Sequence, residues 1–354
     1  MRAILYIFST LAASTVAMSA SADIDPASGI DFATITHPGN APWDGDGQPW
    51  FPSGRGRVDY EFSIGKYEVT SAQWLEFFNA AFARPDPLPF DQLWFRRPLY
   101  WGGETDPTYA GPGQRFRLRE VPNAAMLPAS NISWRTAAVF CNWLENGKSS
   151  SREAFISGAY DTSTFVFQNG DYQDQLTRSP GARYFIPSID EWMKAVYYDP
   201  NKVNPDNTVG GWWHQPNGTD TPLIYGAPPG YLGGNSLSQA NGSVGLWFEE
   251  PWHSIPLGAY PNVVSPWGLL DAAGGESEWT EEVDPYALVQ RRCQKGSRRA
   301  AGGSYESDAV GGFGVLEPDT WLYGGLRIAS TIPAPSSAVP LLACAVIGLR
   351  RRRR

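Results

Sequence analysis

Cysteine, histidine and methionine are scarce in this chain of 354 residues, which has 3 Cys, 3 His and 4 Met. Three cysteines cannot build a disulfide-dense scaffold, nor can they supply a multi-cysteine zinc or iron–sulfur framework. The histidines, His37, His214 and His253, lack the spacing of a helical metal-binding pair. We therefore expect none of the metal centres that are recognised from regular ligand spacing.

Positive charge is also limited, because 28 Lys and Arg residues stand against 36 Asp and Glu, for a formal net charge of −8. Proteins that bind nucleic acid through its backbone need clustered basic residues, so we expect no nucleic-acid partner. The sequence contains no Gly-x-Ser-x-Gly elbow, phosphate-binding loop or dinucleotide fingerprint. These absences exclude the enzyme classes that such motifs mark.

Aromatic residues, glycine and proline are abundant, with 15 Trp, 16 Tyr, 17 Phe, 37 Gly and 30 Pro. This composition indicates many turns around a packed aromatic core. A strand is predicted within residues 58–69, where apolar and polar residues alternate. Helices are predicted after Thr70, Ser133 and Ser188, each a capping residue followed by apolar residues at helical spacing. The pattern favours a loop-rich α+β domain.

The N-terminal residues 1–22 are typical of an export signal. A single charge, Arg2, precedes an apolar stretch, and Ala20-Ser21-Ala22 provides small residues for cleavage. Residues 23–57 are predicted to form a Gly- and Pro-rich lead-in arm, and residues 58–331 the folded domain. We therefore expect a protein exported across the inner membrane, and then periplasmic, displayed on the outer surface or secreted.

The C-terminal segment 332–354 has three parts in a fixed order. Pro- and Ser-rich residues 332–337 precede an apolar run, residues 338–349, and then five arginines. This order resembles the PEP-CTERM sorting signal of Gram-negative bacteria, although Ala334 stands where the usual Glu would be. The resemblance implies an exosortase as partner and a transmembrane helix that anchors the protein transiently or permanently, with the arginines on the cytoplasmic side.

Six further segments carry a second resemblance, which covers residues 60–330. Together they are similar to the motifs of the formylglycine-generating enzyme family, also called the sulfatase-modifying factor family. The resemblance implies a single domain with a variant of the C-type lectin fold. The segments contain Tyr67-Glu68-Val69-Thr70, Asn131-Ile132-Ser133-Trp134, Arg183-Tyr184-Phe185-Ile186-Pro187-Ser188, Gly268-Leu269-Leu270-Asp271 with Glu278-Trp279, Gly302-Gly303-Ser304-Tyr305, and Gly325-Leu326-Arg327-Ile328-Ala329.

The motif tryptophans are expected to be core anchors, because a buried Trp contributes a large apolar area and one N–H group. Two roles stay open for Arg327, which either supports a buried carboxylate or lies on the surface. The tryptophans are Trp134, Trp143, Trp192, Trp267 and Trp279.

The same resemblance locates the chemistry that this chain lacks. Active family members bind copper(I) through two cysteines that follow the Gly-Gly-Ser motif, and the corresponding positions here are Ser307 and Gly312. Neither residue supplies the soft thiolate that copper(I) prefers, so copper is not expected and no catalytic residue is assigned. Cys141 and Cys293 are predicted to be buried, either as separate thiols or as a disulfide.

Calcium is the metal that the resemblance leaves open. The family holds structural Ca²⁺ near the motif that contains Glu278, and carboxylate oxygens suit this ion. Here Gly275 replaces the expected Asn, and Glu276 could compensate for the lost oxygen. Glu276 and Glu278 are therefore the candidate calcium ligands.

These observations favour an exported, surface-associated pseudoenzyme of this family with a binding or extracellular-matrix role and a glycan or surface-protein ligand. One alternative is a divergent oxidoreductase of the superfamily that acts on another substrate. A second is a carbohydrate-binding module, since Trp rings stack on sugars. Its candidate ligand-binding residues are Trp212, Trp213, Trp247 and Trp252.

Overall fold

The computed structural model of the protein describes residues 24–86, 97–231, 233–241, 255–297, 308–320 and 324–331. The predicted export signal and the predicted sorting segment lie outside these residues. Across the described ranges, none of the helices has the length and apolar character needed to span a bilayer.

The helices begin at the predicted capping residues. Thr70 and Ser188 each accept a hydrogen bond from the third residue of the helix that they cap, and both capping boxes are complete. Ser133 caps the second predicted helix in the same way, through the N–H of Thr136. Local sequence chemistry therefore accounts for these three N-termini. The helices of the described residues are α1 (Ser71–Phe82), α2 (Trp134–Glu145), α3 (Glu153–Ile156) and α4 (Ile189–Tyr197).

The strands are short and widely spaced along the chain. They are β1 (Phe32–Ile35), β2 (Phe62–Gly65), β3 (Gly103–Thr105), β4 (Phe116–Leu118), β5 (Phe167–Gln168), β6 (Asp171–Tyr172), β7 (Tyr184–Phe185), β8 (Tyr198–Val203), β9 (Val209–Trp212), β10 (Ser277–Val283), β11 (Arg292–Lys295), β12 (Gly314–Leu316), β13 (Gly324–Gly325) and β14 (Ala329–Ser330). One four-stranded sheet has the order β1-β2-β14-β7, and a second has the order β12-β11-β10-β13. The remaining strands form the hairpins β3–β4, β5–β6 and β8–β9.

The segment predicted as a lead-in arm, residues 23–57, contributes an edge strand to the first sheet. Strand β1 pairs antiparallel with β2, with Phe32 opposite Gly65 and Ile35 opposite Phe62. The side chains of Phe32 and Ile35 are buried, because both belong to the main apolar core. Residue 57 therefore marks no boundary within the described fold, and the segment is called the arm below.

The helices pack through an aromatic core. The Trp74 ring of α1 stacks on Phe140 of α2 with centroids 5.2 Å apart, and Phe77 meets both Phe140 and Trp143. Such pairs add to the free energy gained from apolar burial. The predicted core role of the motif tryptophans is confirmed for four that are buried, and the fifth, Trp267, is half-buried against the same core. The prediction of a loop-rich α+β domain is likewise confirmed.

Candidate functional site

Strand β11 carries a lysine into the interior of the domain. Lys295 is fully buried, and its Nζ donates hydrogen bonds to the carbonyl oxygen of Val310, at 2.9 Å, and to that of Gly312. The ammonium group also lies 5.6 Å from the ring centroid of Trp192 and 5.3 Å from that of Tyr197, both on α4. Neutral carbonyls and aromatic faces thus compensate its charge.

A buried carboxylate lies next to this lysine. Asp308 is fully buried and accepts hydrogen bonds from the N–H and hydroxyl of Ser297 and from the hydroxyl of Tyr225. The Tyr197 hydroxyl donates to the main-chain oxygen of Asp308 at 2.9 Å. These five residues, Lys295, Ser297, Asp308, Tyr197 and Tyr225, are called the Lys295–Asp308 cluster.

The cluster shifts the protonation equilibria of its members through burial. Burial lowers the pKa of Lys295 to about 7, although the charge of Asp308 acts in the opposite direction. Burial raises the pKa of Asp308, and the hydrogen bonds from Ser297 and Tyr225 limit that rise. The pKa of Tyr225 is raised by burial and by the adjacent carboxylate. The arrangement therefore favours neutral forms of groups that are charged in water at neutral pH.

The outer side of the cluster is the segment 308–313, which lies between the arm and the β8–β9 hairpin. The Val310 N–H donates to the carbonyl of His214, just after the hairpin, at 3.0 Å. A Cβ atom at Gly311 would come within 2.9 Å of the Trp43 ring, so this position is packed closely against the arm. Phe313 meets Phe51 of the arm edge-on, with centroids 4.8 Å apart. The segment is therefore held on both sides.

The described residues do not fit a copper(I) site. Ser307 and the Gly-Gly-Ser motif before it lie outside the described residues. Gly312 has no side chain, and its carbonyl oxygen accepts a hydrogen bond from Lys295. Cys141 and Cys293 are free, buried thiols, which selects the first of the two predicted alternatives. Burial raises the pKa of both thiols, that of Cys293 to about 12, so neither is a ready thiolate ligand.

The candidate calcium ligands have other partners. Both oxygens of Glu278 accept hydrogen bonds from Arg327, the closest at 2.7 Å, and Oε2 also accepts one from Trp192 Nε1 at 2.5 Å. Arg327 is thus buried and paired with a carboxylate, which is the first of its two predicted roles. Among the described residues, no group of three or more His, Cys, Asp or Glu side chains is arranged to hold a metal ion.

The space beside Gly275, where the resemblance implies an Asn side chain, is occupied by the carboxylate of Glu68 from another segment. A Cβ atom at Gly275 would lie only 2.5 Å from Oε1 of Glu68, and the Glu276 N–H donates to that same oxygen at 3.1 Å. The cation that faces Glu278 in this structure is the guanidinium group of Arg327. Calcium at this motif stays a prediction.

The two described tryptophans among the candidate sugar ligands contact other parts of the chain. Trp212 donates to the carbonyl of Ala41 at 3.2 Å, and its ring packs edge-on against Tyr198. Lys202 Nζ lies 4.0 Å from the ring centroid of Trp213, whose Nε1 donates to Asp199. Both tryptophans are half-buried. Trp247 and Trp252 lie outside the described residues.

The sequence pattern does not mark Lys295 or Asp308 as members of a site. Strand β11 reads Arg-Cys-Gln-Lys, and all four residues are buried, so it has no alternation that could separate inward from outward positions. The available signal is a charged strand directly before the Gly296-Ser297 turn, which is weak without the residues that it contacts.

Comparison with known proteins places this geometry in context. The family model described as the sulfatase-modifying factor enzyme 1-like domain matches residues 31–312. The structure is similar to the crystal structure of CarF, with 18% identity, a TM-score of 0.48, and coverage of 86% of this chain and 98% of that chain.

Two further solved structures are similar. Treponema denticola variable protein 1 shares 16% identity and a TM-score of 0.46, with coverage of 86% of this chain and 95% of that one. PvdO from Pseudomonas aeruginosa shares 13% identity and a TM-score of 0.36, with coverage of 77% and 82%. A search of the curated proteins finds no match.

Proposed function

The chain belongs to the family of sulfatase-modifying factor enzyme 1-like domains, and from this membership we propose that it is an exported, surface-associated member that does not form formylglycine. Its role is to bind a glycan or a surface protein outside the inner membrane. The proposal combines the retained scaffold with a rebuilt interior at the position of the family's copper ligands.

One observation supports the proposal that this protein does not form formylglycine. Position 312, which corresponds to a copper-binding cysteine, is a glycine whose carbonyl oxygen accepts a hydrogen bond from the buried ammonium group of Lys295. A copper(I) site needs a pair of soft, anionic ligands. The amine of a buried lysine and backbone carbonyl oxygens provide no soft, anionic ligand of this kind.

Surface attachment rests on the two ends of the sequence. Residues 1–22 have the composition of an export signal, and residues 332–354 have the order of a PEP-CTERM sorting segment. The described fold extends to Thr331, directly before this segment. The N–H of Thr331 donates a hydrogen bond to the carbonyl of Arg183, the residue before strand β7. The C-terminal segment would anchor the domain to the membrane until sorting.

The proposed binding surface lies on the loops within residues 201–260 and 305–324, which contain Tyr225 and Asp308 of the Lys295–Asp308 cluster. Segment 308–313 of the second range is fixed against the arm through Phe313 and against His214, just after the β8–β9 hairpin, through Val310. A scaffold that holds its loops in this way loses little conformational entropy when a partner binds.

The enzymatic part of the proposal is tested with protein purified from its native host. Metal analysis is expected to find no stoichiometric copper or iron, and either metal at one atom per chain would support a divergent oxidoreductase instead. In parallel, the protein is incubated with a cysteine-containing sulfatase-motif peptide and is expected to leave it unchanged. An active copper-dependent family member, which converts the peptide, serves as the positive control.

Surface attachment is tested by cell fractionation. The full chain is expected to lose its N-terminal signal and to appear in the envelope or outside the cell. A variant in which the five terminal arginines become glutamine should be mis-sorted, because the positive charge that orients the apolar segment is gone. Retention of the full chain in the cytoplasm would contradict export.

A further inference from the structure

A cavity of about 320 Å³ opens between the arm and the N-terminus of α1. Residues 24 and 29–31 of the arm form one wall, residues 67–70, 72 and 73 form the other, and Met126 and Ile328 complete the lining. The volume lies at the lower end of the range for small-molecule sites, about 300–1,000 Å³. None of these described lining residues belongs to the Lys295–Asp308 cluster, so the cavity is a separate candidate site.

The walls of the cavity are mainly apolar. Ile30, Val69 and Ile328 belong to the lining and are buried. Ile24 also belongs to the lining, but it is 53% exposed to water. A hydrocarbon body that entered the cavity would leave water and would also cover part of Ile24, which favours binding by roughly 25 cal/mol per Å² of apolar surface buried. The walls therefore select a ligand with a hydrocarbon body.

Among the described residues that line the cavity, the two with charged side chains already have partners. Asp31 pairs with Lys66 at 2.8 Å. Glu68 accepts a hydrogen bond from the Glu276 N–H at 3.1 Å, and it interacts electrostatically with the buried guanidinium group of Arg327. A ligand of either charge would therefore lose its hydration without gaining an unpaired counter-ion from these lining residues, and such a loss is costly. The cavity accordingly disfavours both cations and anions.

The polar groups at the start of α1 are likewise used within the fold. The Thr70 N–H donates to Oε1 of Gln73 at 3.0 Å, and the Gln73 N–H donates to the Thr70 hydroxyl at 3.3 Å. This capping box satisfies N–H groups that an uncapped helix N-terminus would offer to an anion. Gln73 Nε2 donates to the carbonyl of Gly29 on the arm at 3.1 Å. These polar groups therefore bind the chain itself, and the apolar walls remain for a ligand.

The wall formed by the arm is a turn held by its own hydrogen bonds. The Asp25 N–H donates to the carbonyl of Ile30 at 2.9 Å, and the Gly29 N–H donates to the carbonyl of Asp25 at 2.7 Å. The Asp25 carboxylate accepts a hydrogen bond from the Tyr184 hydroxyl at 2.6 Å, which connects the turn to β7. Because these contacts already order the wall, a ligand does not have to organise it, and the cost of binding is smaller.

We propose that this cavity binds a small, uncharged and mainly hydrocarbon molecule, about the size of one aromatic ring or of two fused rings. The hydrocarbon body contacts Ile30, Val69 and Ile328, and its outer edge covers Ile24. The site is independent of the proposed loss of formylglycine chemistry, because its described lining residues lie outside the Lys295–Asp308 cluster.

The proposal is tested by calorimetric titration of the full chain with three probes that share one ring system. At neutral pH, 1-naphthalenemethanol is uncharged, 1-naphthylmethylamine is a cation and 1-naphthoate is an anion. The uncharged probe is expected to bind saturably and at least about tenfold more tightly than either charged probe, because a charge that leaves water without a partner is costly.

Two variants, each with a matched control, locate the binding. Ala72→Leu places a larger side chain in the lining, and Ala80→Leu makes the same change outside the lining at another partly exposed position of α1. Ile24→Ser removes an apolar side chain from the edge of the cavity, and Ile224→Ser does so outside the lining at an isoleucine of similar exposure, 48%. Ala72→Leu should weaken binding of the uncharged probe at least about tenfold and Ile24→Ser at least about threefold. Both controls should leave the affinity unchanged.

Three outcomes would overturn the proposal. They are an absence of saturable binding of the uncharged probe, a charged probe that binds as tightly as the uncharged one, and unchanged affinity in Ala72→Leu. Circular dichroism spectra show whether each variant is folded. If Ala72→Leu does not fold, Ile24→Ser and its control decide the question, because Ile24 is exposed and lies outside the buried core. Unchanged affinity in Ile24→Ser would then overturn the proposal.

Discussion

Two clusters of buried charge in this domain differ in how their charges are compensated. Arg327 and Glu278 face each other directly, with a closest contact of 2.7 Å, and both are almost completely buried. In the Lys295–Asp308 cluster, the ammonium group donates to backbone carbonyls, and the carboxylate accepts from hydroxyl and N–H groups of Ser297 and Tyr225. One cluster is an ion pair and the other a hydrogen-bonded network.

The difference appears in the pKa values. Burial works against the charge of Arg327, but the contact with Glu278 raises the pKa of Arg327 above its usual value. Burial lowers the pKa of Lys295 to about 7, because its nearest acceptors are neutral. The ion pair joins β10 to the segment between β13 and β14, whereas the network lies between β11 and segment 308–313. Of these two buried cations, Lys295 is therefore the one with a pKa near neutral pH.

The largest expected effect comes from breaking the ion pair. Arg327→Met leaves the buried carboxylate of Glu278 without its cation, so the free energy of unfolding should fall by about 3–5 kcal/mol. Denaturant unfolding measures this loss. Arg183→Met is the matched control, because Arg183 pairs with Glu145 at a half-exposed position, and it should cost less than about 1 kcal/mol.

A double variant sharpens the same comparison. Arg327→Met combined with Glu278→Met removes both charges, and it should recover much of the stability lost in the single variant. A loss below about 1 kcal/mol in Arg327→Met would show that the pair is not the buried contact described above.

The network should be less sensitive, because its energy is divided among several hydrogen bonds. Asp308→Asn places an amide where the carboxylate accepts from Ser297 and Tyr225, and should lower the free energy of unfolding by about 1–3 kcal/mol. Tyr225→Phe removes one of these bonds and should cost about 1 kcal/mol. Asp206→Asn, at an exposed turn where Asn can still accept from Thr208, is the control and should change the free energy of unfolding by less than about 0.5 kcal/mol. Equal stability of Asp308→Asn and this control would contradict the assignment.

The network is also expected to respond to pH in a direction opposite to that of a simple ion pair. With a folded pKa of about 7 and an ordinary value of 10.5, Lys295 is charged only in the unfolded chain between these limits. The unfolded state then binds more protons, so stability rises with pH by up to about 1.4 kcal/mol per pH unit. Below pH 7 both states carry the charge, so the cost of burying it is at its full value and no longer changes with pH.

The measurement compares the wild type with Lys295→Met by urea unfolding at pH 6.5 and pH 9. Tyrosines and carboxylates are common to both proteins, so the difference reports Lys295 together with its effect on the pKa of Asp308. The wild type should gain stability relative to the variant as pH rises. Parallel pH profiles would show that the lysine keeps its ordinary pKa in the fold.

The smallest effect is expected at the cysteines. Cys141 and Cys293 are buried, and the pKa of each thiol is raised, chiefly by burial. Both should resist alkylation at pH 8 in the native protein and react after denaturation, as peptide mapping can show. Rapid native labelling of either residue would indicate an accessible thiol and reopen the question of a soft metal ligand.

The predictable parts of the fold depend on local chemistry. Thr70, Ser133 and Ser188 determine helix starts through hydrogen bonds within four residues of chain, so their pattern is visible in the sequence. The sequence pattern does not predict strand β1 within the arm, because a four-residue edge strand among glycines and prolines has little periodicity. Its place depends on pairing with β2, which is a tertiary contact.

The candidate site was predictable only as an absence. The resemblance implies a cysteine pair at positions 307 and 312, which are Ser and Gly here, but nothing local in the sequence indicates that the Gly312 carbonyl accepts a hydrogen bond from Lys295. Lys295 and Asp308 become interpretable only when the fold places Val310 and Gly312 over Lys295 and brings Tyr225 to Asp308. Arg327 had two plausible roles for the same reason, since its partner Glu278 is 49 residues away.

The most direct test of the account is an assay for formylglycine formation with the purified exported protein. The protein is loaded with copper(I) under air and incubated with a cysteine-containing sulfatase-motif peptide, and mass spectrometry follows the cysteine. We expect the peptide to remain unchanged and no stoichiometric copper to be retained after desalting. An active family member should convert the peptide under the same conditions. Conversion by this protein would show that the Lys295–Asp308 cluster has not replaced the catalytic copper site.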